Sequence, residues 1–171
     1  LKYRITEVKD ESCPEKNDGV IKVAYEQGHG EYSFTLNNKT YTTPTATFES
    51  LSSGTYKLQV KDQCMDAGDF ITINEPAPVT IKSIVSSSPS CRSKPDGSLT
   101  VTTTGPPGSL QYILYKNGVV YESVSTGTSK SFAGLEGGNY NVRVSHAGCA
   151  PDISETVSLA SVQAVSFTAS V

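Results

Sequence analysis

One ten-residue stretch occurs twice in this chain and constrains its fold more than any other feature. It reads LSSGTYKLQV at residues 51–60 and LEGGNYNVRV at residues 135–144. Each copy has the form Leu-x-x-Gly-x-Tyr and then alternates apolar and polar residues. Such alternation predicts a β-strand with one buried face, and its recurrence predicts a repeated domain.

The tyrosine of each copy, Tyr56 or Tyr140, enters its strand directly after a glycine-containing turn. In immunoglobulin-like sandwiches a tyrosine in this place forms a tyrosine corner, in which its hydroxyl hydrogen-bonds to the chain just upstream. We therefore predict tyrosine corners at Tyr56 and Tyr140. The simpler alternative is a half-buried strand in which tyrosine serves only its β propensity.

The composition agrees with an all-β fold. Only 36% of the 171 residues are hydrophobic, tryptophan is absent, and no long window shows the 3.6-residue period of an amphipathic helix. Short alternating segments separated by turn residues recur about seven times in each copy. The predicted fold is all-β, with two tandem immunoglobulin-like β-sandwich modules in an extended arrangement.

The repeat extends well beyond the ten-residue stretch. The aligned landmarks are Cys13 with Cys91, Tyr32-Ser33-Phe34 with Tyr112-Ile113-Leu114, Phe48 with Phe132, and Cys64 with Cys149. The separation grows from 78 residues at the first cysteine to 85 at the second, so we expect insertions in the loops of the second copy.

These alignments predict three segments. Residues 1–77 form the first repeat, 78–161 form the second, and 162–171 form a linker or the first strand of a following repeat. Pro76 and Pro78 favour a stiff, extended connection between the first two. Because the chain begins inside a strand-like segment without a signal peptide, we expect it to be cut from a longer array.

Four cysteines in matched contexts indicate an oxidising compartment and structural disulfides. The simplest pairing lies within the modules, Cys13 with Cys64 and Cys91 with Cys149. Parallel second and sixth strands would, however, place these partners at opposite poles of a sandwich. Pairing of Cys13 with Cys149 and free thiols are the alternatives. The absence of a C-x-x-C pair argues against a zinc site.

Charge and motif content exclude several function classes. The net charge of −3 argues against nucleic-acid binding, and the lack of an 18-residue apolar run argues against membrane insertion. His29 and His146 occupy unrelated places in the two copies, so no nucleophile–base arrangement is apparent. We expect no enzymatic activity and no cofactor.

Two further groups of side chains are candidates for ligand binding. Asp62, Asp66 and Asp69 surround Cys64 and could offer oxygens to Ca²⁺, although a solvated acidic loop has the same composition. Tyrosines near the hairpins could stack on sugars, although cross-strand packing explains them as well. These are Tyr41, Tyr115 and Tyr121. The sequence does not single out ligand-binding residues.

The order of these motifs resembles the SprB repeat family of very long Bacteroidetes surface proteins, which include a gliding-motility adhesin. The shared pattern is Cys-x5-Gly-x-Ile/Leu-x-Val, then Tyr-x-Phe/Leu, then Leu-x-x-Gly-x-Tyr-x-Leu/Val-x-Val, a second cysteine and a closing strand. It covers nearly the whole chain, twice. The chain departs from the family by a shortened segment before Cys64 and by the lack of an aspartate before Cys149.

The resemblance implies a non-catalytic segment of a long adhesin that the type IX system secretes to the bacterial cell surface. Its implied partners are neighbouring repeats of the same chain and an extracellular polysaccharide or other surface ligand. Stacked sandwiches with stiff linkers would serve as an adhesive stalk, and the resemblance extends to the stalks of gliding-motility adhesins. The alternatives are a carbohydrate-binding accessory module of a secreted enzyme and an inert spacer.

Overall fold

The chain divides at its proline-bearing linker into unit 1, Leu1–Pro76, and unit 2, Ala77–Val171. The computed structural model describes residues 1–91 and 94–161. The division lies one residue before the expected boundary between residues 77 and 78. The expected linker or strand at 162–171 lies outside the described residues. The described part of the chain has no helix with the length and apolar character needed to cross a membrane.

Unit 1 contains seven strands. They are β1 (Lys2–Lys9), β2 (Gly19–Gln27), β3 (Ser33–Leu36), β4 (Lys39–Tyr41), β5 (Thr45–Leu51), β6 (Gly54–Lys61) and β7 (Asp66–Ile73). All pairs are antiparallel, and the sheet orders are β1-β2-β5 and β4-β3-β6-β7. Because β4 pairs with β3 rather than β5, the strands divide three plus four, unlike the four-plus-three division of immunoglobulin constant domains.

Unit 2 repeats this division. Its strands are β8 (Thr80–Ser87), β9 (Gly97–Thr104), β10 (Leu110–Lys116), β11 (Val119–Thr126), β12 (Ser129–Leu135), β13 (Gly138–Ser145), β14 (Asp152–Ile153) and β15 (Val157–Leu159). One sheet has the order β8-β9-β12, and in the other β11-β10-β13 is followed by β14 and β15, which both pair with β13. The closing strand, continuous as β7 in unit 1, is therefore divided in unit 2.

Each unit buries its own hydrophobic core between its two sheets. In unit 1 the core joins Ile21 and Phe48 of one sheet to Phe34 and Leu58 of the other. In unit 2 the corresponding cluster includes Leu99 and Phe132 with Tyr112 and Val142. Alternate residues of these strands supply the buried side, as the period-2 pattern predicts. Both units are immunoglobulin-like β-sandwiches.

The repeated stretch has the same local structure in both units. The hydroxyl of Tyr56 donates to the carbonyl oxygen of Ser52 at 2.8 Å, and that of Tyr140 donates to the carbonyl oxygen of Glu136 at 3.0 Å. These are the hydrogen bonds expected of a tyrosine corner. The preceding glycines have φ values of 146° at Gly54 and 154° at Gly138, a region that other residues rarely adopt.

A second repeated feature, a serine–aspartate clamp, holds the loop before the second strand of each unit. In unit 1 the NH and hydroxyl of Ser12 donate to the carboxylate of Asp18 at 2.8 and 2.6 Å. In unit 2 the same groups of Ser90 donate to Asp96 at 2.7 and 2.6 Å. The lysine two residues before each aspartate adds an ion pair of 3.3 or 3.1 Å.

The expected disulfide pairing within each module is wrong. Cys64 and Cys91 are free, exposed thiols, whereas Cys13 and Cys149 are buried and disulfide-bonded. In unit 1 the Glu11 NH, near Cys13, donates to the carbonyl oxygen of Asn74 beyond the end of β7. Cys64 follows β6 at the other pole, and a nine-residue strand such as β2 spans about 30 Å. That distance far exceeds the roughly 5.5 Å between the Cα atoms of a disulfide.

The alignment of Tyr32 with Tyr112 is also wrong, by two residues. Phe34 pairs with Val60 in unit 1, and Tyr112 pairs with the corresponding Val144 in unit 2, so Phe34 is the counterpart of Tyr112. The separation between counterparts therefore stays at 78 residues through β3 and β10 and becomes 84 at Phe48 and Phe132. The additional six residues lengthen the strands of the β10–β11 hairpin and not a loop, which corrects the expectation of insertions in the loops.

Candidate interaction surface

The outward side of the four-stranded sheet in unit 1 is polar, and we call it the outer face. Alternate residues of β3, β6 and β7 point away from the core because their neighbours Phe34, Leu58 and Ile71 are buried. The outer face consists of Ser33 and Thr35 on β3, Thr55, Lys57, Gln59 and Lys61 on β6, and Asp66, Gly68, Phe70 and Thr72 on β7. It offers hydrogen-bonding groups and a single aromatic ring.

Phe70 is the most unusual residue of the outer face. Its exposed fraction is 76%, whereas the exposed fractions of Phe34, Phe48 and Phe132 do not exceed 1%. It lies directly opposite Lys57 in the β6–β7 ladder. Beside the ring is a shallow depression of about 290 Å³, lined by Lys57, Gln59, Asp66, Ala67, Gly68, Asp69 and Phe70. The ring lies on β7, an edge strand of the four-stranded sheet, so it stands at the margin of the polar outer face.

The charges of the outer face are unequally satisfied. The Asp66 carboxylate accepts from the Gln59 Nε2 at 3.0 and 3.2 Å and pairs with the Lys61 Nζ at 3.1 Å. No carboxylate among the described residues lies within ion-pair distance of Lys57. The outer face therefore presents an unpaired cation next to an exposed ring, and an acid that is already paired.

A larger depression, of about 690 Å³, lies at the pole of unit 1 where β2 ends and β7 begins. Its lining includes Glu31, Tyr32, Thr42, Lys61 and Gln63. The ring of Tyr32 stacks on that of Tyr25, with centroids 3.8 Å apart and planes 8° from parallel. Desolvation raises the pKa of Tyr25, and the nearby Asp62 and Tyr32 add to the effect. Since this depression shares Ser33 and Lys61 with the outer face, the two are continuous.

The three aspartates proposed for calcium do not converge. Asp62 accepts hydrogen bonds from the backbone NH groups of His29, Cys64 and Met65, which hold its pKa below the ordinary value. Asp66 binds Gln59 and Lys61, while Asp69 accepts from the Tyr3 hydroxyl at 2.8 Å. In the described part of the chain no group of three or more His, Cys, Asp or Glu side chains is placed to hold a metal ion.

The tyrosines singled out for sugar stacking lie elsewhere and differ in accessibility. Tyr41 is partly buried and packs edge-on against Phe48, with centroids 5.2 Å apart. Tyr121 is 47% exposed and packs edge-on against Tyr140 at 6.1 Å, while Tyr115 lies in β10. Packing against another aromatic ring thus engages two of the three tyrosines. His29 precedes β3 and His146 follows β13, each in a loop of its own unit.

Unit 2 has no counterpart of the Phe70–Lys57 pair among its described residues. The equivalent positions hold Thr156 and Asn141, whose side chains hydrogen-bond to one another at 3.2 Å. Sequence reasoning missed Phe70, although a signal was present. Ile71 and Ile73 alternate inward, and period 2 then places Phe70 and Thr72 outward.

Comparison with known proteins identifies the fold alone. The sequence matches no protein-family model and no curated protein sequence. The I-band fragment I67–I69 of titin superposes with a TM-score of 0.55 at 11% identity, covering 92% of this chain. An E-to-A variant of those three immunoglobulin domains gives a TM-score of 0.54 at 12% identity over 91% of the chain. This chain spans 65% and 64% of the two titin fragments, and both likenesses indicate a tandem of immunoglobulin-like domains.

Proposed function

We propose that this chain is a non-catalytic repeat segment of a long, secreted bacterial cell-surface adhesin, in which the sandwiches act as a stalk and exposed faces touch a surface. The observation that carries the proposal is the contrast between a repeated interior and a divergent exterior. Both units share the strand division, the tyrosine corner and the serine–aspartate clamp, yet only unit 1 has the exposed Phe70.

Three further observations support this proposal. The order of motifs resembles the SprB repeat, whose parent proteins are surface adhesins. The structural likeness to titin fragments is a likeness to tandem immunoglobulin domains. Disulfide-bonded cysteines suit an oxidising, extracellular setting. In an array of this kind each unit carries its own core, so that stability is largely local to the unit.

Bead adhesion under flow tests the adhesive part. Beads coated with the two-unit protein are applied to glass carrying neutral polysaccharides, acidic polysaccharides or proteins, and beads coated with a titin tandem of similar length serve as the control. We expect retention above the control on at least one surface. Retention equal to the control on every surface would show an inert spacer and contradict the proposal.

The gene that encodes this segment tests the architectural part. We expect further copies of the Leu-x-x-Gly-x-Tyr motif in the same reading frame, together with a C-terminal sorting domain. A catalytic domain in that frame would instead favour an accessory module of a secreted enzyme.

A further inference from the structure

We propose that the outer face of unit 1 binds an acidic oligosaccharide, with the Phe70 ring as the stacking platform and the Lys57 ammonium as the partner of a sugar carboxylate or sulfate. This assignment rests on the proposed adhesive function, because it names the class of ligand that one face of the stalk would hold.

The exposed Phe70 ring is suited to stacking on a sugar. A phenylalanine that remains 76% exposed gains little of the free energy that burial of its ring would supply. The negatively polarised face of an aromatic ring attracts C–H bonds, and the faces of a pyranose consist of such bonds. The backbone of Phe70 is held by the β6–β7 ladder, which fixes the side of the sheet on which its ring lies.

The polar groups around the ring can hydrogen-bond to the hydroxyl groups of a sugar. A pyranose carries hydroxyl groups at its rim, and these need donors and acceptors near the stacking plane. The Gln59 amide and the Asp66 carboxylate lie in the same shallow depression as the ring. Gly68, between Asp66 and Phe70, has no side chain, and a Cβ there would collide with the Leu58 carbonyl oxygen, so backbone approaches closely beside the ring. This arrangement suits a flat, polar ligand better than an apolar peptide side chain.

The positive charge of Lys57 indicates that the ligand is an anion. Lys57 faces Phe70 across the β6–β7 ladder, and no described carboxylate pairs with it. Asp66, the acid of the outer face, is already held by Gln59 and Lys61. An incoming anion therefore meets an unpaired cation, whereas both acids that line the depression already have partners, Asp66 in Lys61 and Asp69 in the Tyr3 hydroxyl. Charge complementarity thus favours an acidic sugar over a neutral or basic one.

Unit 2 provides an internal control. At the positions of Phe70 and Lys57 it has Thr156 and Asn141, which bind one another and present neither a ring nor a cation. We therefore expect binding to unit 1 alone, although the two units share their fold.

Titration followed by ¹⁵N-HSQC spectra of the two-unit protein tests the assignment. The probes are an oligomer of galacturonic acid and, as the neutral comparison, a malto-oligosaccharide of equal length. With the acidic oligomer we expect shifts confined to β6 and β7, and weaker binding as salt rises. Phe70→Ala should lower the affinity about tenfold and Lys57→Ala roughly two- to fivefold, while Thr156→Ala should leave it unchanged. Unchanged chemical shifts elsewhere will show that each variant is folded.

Several outcomes would overturn it. These are no binding of the acidic oligomer, equal binding of the neutral one, shifts centred on unit 2, or full affinity in Phe70→Ala. Failure here is distinguishable from failure of the adhesive function. If beads coated with the Phe70→Ala variant keep the retention of the wild type, the adhesive function stands and this assignment fails. If wild-type beads bind no surface, the adhesive function itself fails.

Discussion

Units 1 and 2 share the arrangement of their hydrophobic cores but differ in their edge strands. Both place a three-stranded sheet against a larger one, and both bury a phenylalanine, Phe48 or Phe132, at the same register. Their fourth strands differ, because β4 has three residues and β11 has eight. Short edge strands resist pairing with other chains, so unit 1 protects an edge that unit 2 leaves long. Positions that are alike in the two units therefore mark what the sandwich requires. Positions that differ between them mark where the two units can act differently.

The closing strands show the same contrast. In unit 1 the continuous β7 carries Phe70 on its outward side, whereas in unit 2 the strand is divided and Ser154 fills the gap. The Ser154 hydroxyl accepts from the Val142 NH at 2.8 Å, and the Ser154 NH donates to the Val142 carbonyl at 2.8 Å. The ladder is thus kept at the cost of the outward side-chain row. Of the two closing strands, only the one in unit 1 retains a regular row of outward side chains.

The largest expected effect tests the shared interior. Phe48→Ala and Phe132→Ala each remove a ring whose exposed fraction is 1% or less. Each should lower the free energy of unfolding of its own unit by about 3–5 kcal/mol, because a large cavity replaces the ring. Calorimetry with ¹⁵N-HSQC spectra will report which unit unfolds. A loss below 1 kcal/mol in one unit alone would show that the two interiors are not equivalent.

How far the fold follows from sequence is visible in the same residues. Period-2 alternation and the Leu-x-x-Gly-x-Tyr turn are local, so the strands and the duplication were predictable. The alignment of Tyr32 with Tyr112 failed because a slip of two residues keeps every side chain on its side of the sheet. Only pairing with the distant β6 and β13 decides between the two alignments.

The candidate surface was less accessible to sequence reasoning. Phe70 lies between acidic residues and a buried Ile71, and its alternation shows that it faces outward without showing that nothing covers it. The cysteine pairing failed for a related reason. The repeat shows that Cys13 and Cys64 each have a counterpart in the second copy, but it does not show how far apart the two cysteines lie. The direction of the strands places them at opposite poles.

Exchanging tyrosine and phenylalanine at one equivalent buried position of the two units should have the next largest effect on the free energy of unfolding. The Tyr112 hydroxyl is fully buried and bonds to the Thr103 hydroxyl at 2.8 Å and the Gly127 carbonyl at 2.9 Å. Tyr112→Phe should cost unit 2 about 1–3 kcal/mol, because the Gly127 carbonyl loses its donor. Phe34→Tyr should cost unit 1 a similar amount, since Tyr25 occupies the position of Thr103 there.

Urea unfolding at constant m-value measures both exchanges. Tyr121→Phe is the control, because that ring is 47% exposed and its change should stay within about 0.5 kcal/mol. If Phe34→Tyr proves neutral, unit 1 must offer the new hydroxyl a partner, and the difference between the units at this one buried position disappears.

Acid unfolding should separate the serine–aspartate clamps. Hydrogen bonds from the Ser90 hydroxyl and NH, with Lys94, lower the pKa of Asp96 from 3.8 to about 2. The same contacts from Ser12 and Lys16 lower the pKa of Asp18 further. A depressed carboxyl pKa stabilises the folded state above the unfolded pKa, and the contribution is lost as pH falls through the folded value. We therefore expect unit 2 to lose this contribution between about pH 4 and 2, and unit 1 to lose it at lower pH.

Melting temperatures at pH 5, 3 and 2 will show this order. Asp96→Asn should remove the contribution of the unit 2 clamp to the acid dependence, and Asp18→Asn should remove that of the unit 1 clamp. Ser90→Ala, which keeps the aspartate but removes a donor, should give an intermediate profile. An acid profile unchanged by either aspartate variant would mean that the clamps do not contribute to stability.

The smallest expected effect concerns the free cysteines, which occupy different positions in the two units. Cys64 in unit 1 and Cys91 in unit 2 are free and exposed, so both should react with iodoacetamide in the native protein. Replacing either with serine should change the free energy of unfolding by no more than about 0.5 kcal/mol, because neither thiol is buried or bonded. Non-reducing peptide mapping after alkylation should then recover both peptides as single, modified species. A peptide joining Cys13 to Cys64 would require the poles of unit 1 to approach one another, and that result would contradict the strand directions that unit 1 shares with unit 2.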